Sequence, residues 1–351
     1  MTTSLMKHFD LKLPLILAPM AGGPSTPALV AAVSNAGGLG SIGGAYLTPE
    51  MLTQEIQETK KKTSKPFAVN LFVPTEDPVI DEVSLHRALK ATKIYRDELE
   101  LPKPDLKPPY AENFDKQFAA MLREKPAAFS FVFGSLDRKY LEECRREGIY
   151  TMGTATTLDE ALILQEAEVD AIVAQGVEAG GHRAIFDAHK EDPQIGVMPL
   201  VSLLKDHIRV PIIAAGGIMN GQSIKAMISL GAQAAQLGTA FLLCEEAGTN
   251  KAYRNFITDT QVRTTHLTRA FSGRVARGIE NRFMMEMKEK EAAILPFPAQ
   301  NAFTRDIRNK AAKDRRAEYL SMWAGEGLAQ IRAMKAAELV AVLAAEFAEA
   351  R

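Results

Sequence analysis

Short, unbroken apolar runs alternate with stretches of helical periodicity from Leu15 to Leu237. The runs are 15–18, 40–42, 67–72, 129–133, 149–152, 171–174, 211–215 and 234–237. Their apolarity is mostly continuous, which suits strands buried on both faces of a parallel sheet. The intervening segments carry helix boundaries. Ser25 or Thr26 caps a helix ending at Gly37, and Thr48-Pro49-Glu50 opens a second by the rule that proline suits the first helical turn. Leu136 to Glu147 ends at Gly148, and Asn220 to Leu230 ends at Gly231. Thr157 with Glu160 reads as a capping box. Repeated β–α units in this number predict an α/β fold, a TIM (β/α)8 barrel. A doubly wound open sheet is the structural alternative.

Two regions exceed a minimal barrel. Residues 74–127 form an excursion with a proline-rich centre, and residues 246–351 are charged and mostly helical. Met334, Ala337, Ala341, Ala344 and Ala348 recur at helical spacing. The expected organisation is a barrel over 1–245, interrupted by the 74–127 insertion. A helical C-terminal region over 246–351 would pack on it and cover the active site. No linker or low-complexity tract separates independently folding units.

Composition narrows the classes. Of 351 residues, 42 are Lys or Arg and 43 Asp or Glu, a net charge of −1, so nothing points to nucleic acid or an anionic membrane as partner. Cys144 and Cys244 are too few for a disulfide scaffold, a four-cysteine zinc site or an iron–sulfur cluster. No window reaches the length of a membrane span, and no signal-peptide stretch opens the chain, so a soluble cytoplasmic protein is expected. No H-E-x-x-H spacing or G-x-S-x-G elbow appears, so neither a metal nor a serine nucleophile is expected.

The glycines fall at strand ends: Gly22-Gly23 after the first, Gly176 and Gly180-Gly181 after the sixth, Gly216-Gly217 after the seventh, Gly238 after the eighth. In a TIM barrel these ends form the active face, and the loops after strands seven and eight commonly hold a phosphate. Glycine lets backbone N–H groups approach phosphate oxygens. Tight turns alone would also use glycine, but two such sites at consecutive strand ends favour phosphate binding. Gly38-Leu39-Gly40-Ser41-Ile42-Gly43 matches G-x-G-x-x-G with Glu58 twenty positions on, yet it follows a helix instead of a strand. It therefore reads as packing glycines and not as a dinucleotide fingerprint. His182, beside Arg183 in the Gly-rich loop after strand six, is the titratable residue best placed for proton exchange or anion contact. Asn70 and Gln175 are amides on apolar strands, able to donate and accept along a flavin edge or to bond the adjoining backbone.

Together these segments resemble class I of the nitronate monooxygenase family, formerly called 2-nitropropane dioxygenases. The matching pieces are Ala18-Pro19-Met20-Ala21-Gly22-Gly23, Asn70-Leu71-Phe72-Val73-Pro74, Ala179-Gly180-Gly181-His182-Arg183, Ala214-Ala215-Gly216-Gly217-Ile218, Gln236-Leu237-Gly238-Thr239 and Ser272-Gly273-Arg274. The resemblance implies FMN. Asn70, Gln175, Gly180, Gly181, Gly216, Gly217, Gln236, Gly238 and Thr239 would bind it, Pro19, Met20 and Ala21 would line its ring, and His182 would be the active-site histidine. It implies oxidation of alkyl nitronates, propionate 3-nitronate among them, by O2 through a flavin semiquinone, giving a carbonyl compound and nitrite or nitrate. His182 would hold the nitronate, stabilise negative flavin, or accept a proton from a neutral nitroalkane. A nitronate has already lost that proton, which favours anion binding. A monomer or a homodimer fits equally.

Some positions depart from the family pattern. Ala184 stands where glycine is frequent, Val275 where proline is, and Phe297 and Phe303 where tyrosines lie near the substrate. A missing phenol would change how a substrate carboxylate is bound. Two other functions stay open: an NAD(P)H-dependent FMN reductase of the same fold, of enoyl-reductase or quinone-reductase type, and a flavin-carrying binding protein.

Overall fold

The structure, a computed structural model, describes residues 2–259 and 264–350. The eight apolar runs all become strands. They are β1 (Leu15–Leu17), β2 (Gly40–Gly43), β3 (Phe67–Phe72), β4 (Ala128–Val132), β5 (Tyr150–Ala155) and β6 (Ala171–Gln175); after a short β7 (Gly181–His182) set elsewhere come β8 (Ile212–Ala215) and β9 (Ala234–Leu237). All pairings in this sheet are parallel, in the order β1-β9-β8-β6-β5-β4-β3-β2. A parallel bridge between Ile16 and Leu39 brings the two ends together, so the sheet closes as a TIM barrel.

Alternation along each strand sorts the side chains. Ile172, Ala174, Ile212, Ala214, Ala235 and Leu237 face the helices, whereas Ala171, Val173, Ile213, Ala215 and Ala234 fill the barrel with Ile16, Ala68, Ala128 and Met152. Period two then places Asn70, Thr154, Gln175 and Gln236 inward near the C-terminal strand ends, where they border a cavity. The opposite mouth is plugged by α1 (Ser4–Phe9), whose Leu5, Met6 and Phe9 join the interior cluster.

The outer ring comprises α2 (Pro27–Ala36) and α3 (Pro49–Lys62), then, beyond an insertion helix α4 (Glu82–Glu98), α5 (Phe114–Glu124), α6 (Arg138–Arg146), α7 (Leu158–Glu166), α8 (Val197–His207) and α9 (Gly221–Leu230). Thr26, Thr48, Thr157 and Asn220 each accept the expected N-cap hydrogen bond, and Gly37 and Gly231 end their helices. The Thr157–Glu160 box is only half formed. Glu160 N donates to Thr157, but the Glu160 carboxylate accepts from Thr156 N at 2.7 Å and Phe186 N at 2.7 Å instead of reaching back to Thr157 N. It ties the loop beyond β7 to the start of α7.

Helix α5 lies against α3, and its Phe118 and Met121 join the main core. After α10 (Lys251–Asp259), α11 (Arg282–Lys288), α12 (Ala299–Phe303) and α13 (Arg305–Asp314), the chain returns through α14 (Ala336–Glu349), which packs between α9 and α2 and completes the ring. Glu346 Oε2 accepts from Gly221 N at 2.8 Å there. Helix α4 instead packs on the C-terminal segments. Buried Arg96 pairs with Asp306 at 2.6 Å, and Glu98 pairs with Arg282 at 2.8 Å. A second sheet joins this layer to the barrel loops. β10 (Thr265–Thr268) and β11 (Ala276–Ile279) run antiparallel, and β11 pairs with β7 through Ala276 opposite His182 and Arg277 opposite Gly181.

Candidate functional site

A cavity of about 570 Å³ opens at the C-terminal strand ends. Every residue nominated from the sequence borders it: Pro19, Met20 and Ala21 after β1; Asn70 in β3; Gln175 in β6; Gly180, Gly181 and His182 after it; Gly216 and Gly217 after β8; Gln236, Gly238 and Thr239 at the end of β9.

The Gly216-Gly217 turn has positive φ at both residues, 129° and 66°. A Cβ on Gly217 would lie 3.2 Å from Glu178 Cβ. Glu178 itself is held fast, its carboxylate accepting from Val197 N at the start of α8 at 2.9 and 3.0 Å. A Cβ on Gly180 would sit 2.6 Å from the backbone at Ala324-Gly325, so this loop and the C-terminal layer meet backbone to backbone. Thr239 Oγ1 accepts from Gly325 N at 2.9 Å, fixing the same junction.

Gln175 is bound on both sides of its amide. Its Oε1 accepts from Arg183 Nη1 at 3.0 Å and Ala184 N at 2.9 Å, and its Nε2 donates to His182 O at 3.0 Å. One N–H remains for a ligand. Arg183 is fully buried and pairs with Asp192 at 2.7 Å through Nε, while Nη1 also donates to Gln175 O and Gly176 O. This ion pair sets the loop that carries His182. Asn70 donates to Ser130 Oγ at 2.9 Å.

His182 Nε2 lies 2.8 Å from Ser272 Oγ, which in turn contacts the backbone of Arg274. Its ring sits among Phe72, Phe133, Phe297 and Trp323, at centroid distances of 5.5 to 6.3 Å. Burial and then the charges of Arg274 and Arg308 push its pKa down to about 3, so the imidazole is neutral. Arg274 is itself buried, with its guanidinium 4.1 Å from the Phe133 centroid, and burial lowers its pKa to about 10.

Sequence reasoning missed the wall supplied from elsewhere. Tyr46, Asn301, Arg305, Arg308, Ser321 and Trp323 also border the cavity. Their one available signal was the i, i+3 spacing of Arg305 and Arg308, which puts two cations on one side of α13. Among the described residues the lining contains no Asp or Glu. Nor does any group of His, Cys, Asp and Glu that could hold a metal occur among them. No described helix is long and apolar enough to cross a membrane.

A closed barrel with a large cavity over its strand ends, acid-free among the described residues, is the architecture of a TIM-barrel enzyme. The chain belongs to the nitronate monooxygenase family, whose model matches residues 3–346. It is accordingly an oxidoreductase. A Staphylococcus haemolyticus protein named probable nitronate monooxygenase is 40% identical over 92% of this chain and 90% of its own length. A Bacillus subtilis protein of the same name is 38% identical over 92% of each. The solved structure of a nitroalkane oxidase from Streptomyces ansochromogenes superposes with a TM-score of 0.92 and 38% identity, covering 98% of both chains. FabK from Thermotoga maritima superposes with a TM-score of 0.77 at 27% identity.

Proposed function

We propose that the protein oxidises alkyl nitronates of the propionate 3-nitronate class with O2, giving a carbonyl compound and nitrite or nitrate, with FMN as cofactor. The observation that carries this reading is the cavity itself: its described lining holds no carboxylate and brings the glycine turns together with His182. The fit to FMN rests on the Gly216-Gly217 turn, whose positive φ at both residues suits a backbone cradle for a phosphate and whose Cβ positions are already taken by Glu178 and its neighbours. Gly216, Gly217, Gly238 and Thr239 would hold the phosphate. Asn70, Gln175 and Gln236 would meet the ring edge, Pro19, Met20 and Ala21 its face, and Gly180 and Gly181 would let the backbone approach. Bound FMN supplies the redox chemistry.

The protein's own part is recognition and exclusion. A nitronate arrives as an anion, so no base is needed to make it. His182, with its pKa near 3, is a weak base and a sound hydrogen-bonding group. Its Nε2 is engaged by Ser272, and Nδ1 has no protein partner among the described residues, leaving that edge for substrate or cofactor. The four aromatic rings around it make that part of the wall apolar. The Gly180–Gly325 junction closes the C-terminal layer over the strand ends.

The test is oxygen uptake by purified, flavin-loaded protein with freshly prepared propionate 3-nitronate. Consumption of O2 with matching release of nitrite plus nitrate supports the reading. Absence of uptake with this and with simple alkyl nitronates ends it.

A further inference from the structure

The cavity has two ends, and the glycine cradle accounts for one. That cradle follows β8 and β9, whereas Tyr46 follows β2, two strands round the ring from β9 and three from β8. Around Tyr46 stand Arg305, Arg308 and Asn301. Arg308 Nη2 is positioned by Asn301, donating to its backbone O at 2.7 Å and its Oδ1 at 2.8 Å. Its Nε is buried and has no partner. Neither Arg305 nor Arg308 forms an ion pair among the described residues, although Asp306 lies between them. That carboxylate is taken by Arg96 from the other side, at 2.6 and 3.3 Å.

An arginine lining a cavity, with a buried N–H unsatisfied and its nearest acid diverted, is held for an external anion. We infer that Arg308, supported by Arg305, Tyr46 and Asn301, binds a second anionic group of the substrate, a carboxylate remote from the nitronate. Arg308 is thus a specificity-determining residue: it selects acid-bearing nitronates over those with neutral alkyl tails. This rests on the nitronate reading for the identity of the reacting group, but the anion site itself does not.

Isothermal calorimetry of the flavin-loaded protein separates the two. Succinate, an unreactive dianion of the length of propionate 3-nitronate, is titrated in parallel with propionate, which carries one charge. The expected result is tighter binding of succinate. Arg308→Met weakens it by about 10- to 100-fold, the worth of a charged hydrogen bond, with a smaller effect on propionate. Arg308→Lys, which keeps the charge and loses the fork, falls between. Arg305→Met, on a more exposed side chain, gives a lesser loss and serves if Arg308→Met does not fold. In turnover, the kcat/KM ratio of propionate 3-nitronate to ethyl nitronate drops by the same factor in Arg308→Met. Wild-type protein that binds succinate no better than propionate, or Arg308 variants that bind succinate as wild type does, would overturn the inference. Arg308-dependent succinate binding without nitronate turnover would keep the anion site and remove the nitronate reading.

Discussion

Replacing Gly217 by valine probes the proposed phosphate cradle. Gly217 has φ 66°, where an L-residue costs about 1–2 kcal/mol. Its new Cβ would stand 3.2 Å from Glu178 Cβ, and Glu178 cannot swing aside without stripping Val197 N of its acceptor. The two valine methyls bring overpacking, for a total of about 2–4 kcal/mol. The turn relieves this by leaving the left-handed region, which carries its amides away from the phosphate. The cost then appears as flavin affinity, a loss of about 30- to 1,000-fold. The assay is the flavin-to-protein ratio after gel filtration, followed by titration of apoprotein with FMN. Gly148→Val is the control: Gly148 has φ 71°, follows α6, and a Cβ there would meet nothing within 4 Å, so it carries the strain without the cradle. Undiminished FMN affinity in Gly217→Val, or an equal loss in Gly148→Val, would refute the placement.

Three further outcomes are expected. His182→Asn lowers turnover by about 100-fold while flavin content holds; parallel loss of both would remove His182 from the substrate side. With pre-formed nitronate, kcat/KM shows no His182 inflection between about pH 5.5 and 8, because that parameter reports the free enzyme. The depressed pKa also makes His182 a liability in acid: its contribution to stability is present above the unfolded value of 6.5 and is lost as pH falls toward about 3. Melting temperatures of wild type and His182→Asn should therefore converge as pH falls, and a constant gap would contradict this. Arg183→Met leaves Asp192 buried without its partner and costs about 3–5 kcal/mol, read as a lower denaturation midpoint; an unchanged midpoint would show that the pair does not anchor the loop.

The barrel was legible because its signals are local. Each strand is a short apolar run, and Thr26, Thr48, Thr157 and Asn220 mark helix starts that the structure keeps. The same pattern set aside Gly38 to Gly43, which runs from the end of α2 into β2 and not from a strand into a helix. What escaped depends on contacts distant in sequence. β7 is two residues long and exists only by pairing with β11, nearly a hundred positions away. The half-formed capping box reflects Phe186, a partner no local motif reveals. Arg305 and Arg308 border the cavity because the C-terminal layer folds over the strand ends, and helical spacing alone does not tell a cavity-facing arginine from a solvated one. The resemblance raised the question of how a carboxylate is held where phenylalanines replace phenols: Phe297 stands beside His182, whereas Phe303 is buried away from the cavity against α4 with Arg96 over its ring. The role proposed for Arg308 answers it.

The central claim is that this site draws electrons from nitronates and not from nicotinamides. Anaerobic stopped-flow absorbance of the flavin-loaded protein tests it, with propionate 3-nitronate in one mixing experiment and NADPH or NADH in the other. The account predicts that the oxidised flavin spectrum is lost on mixing with the nitronate and persists with either nicotinamide. Full bleaching by a nicotinamide, with no change on adding the nitronate, would contradict it.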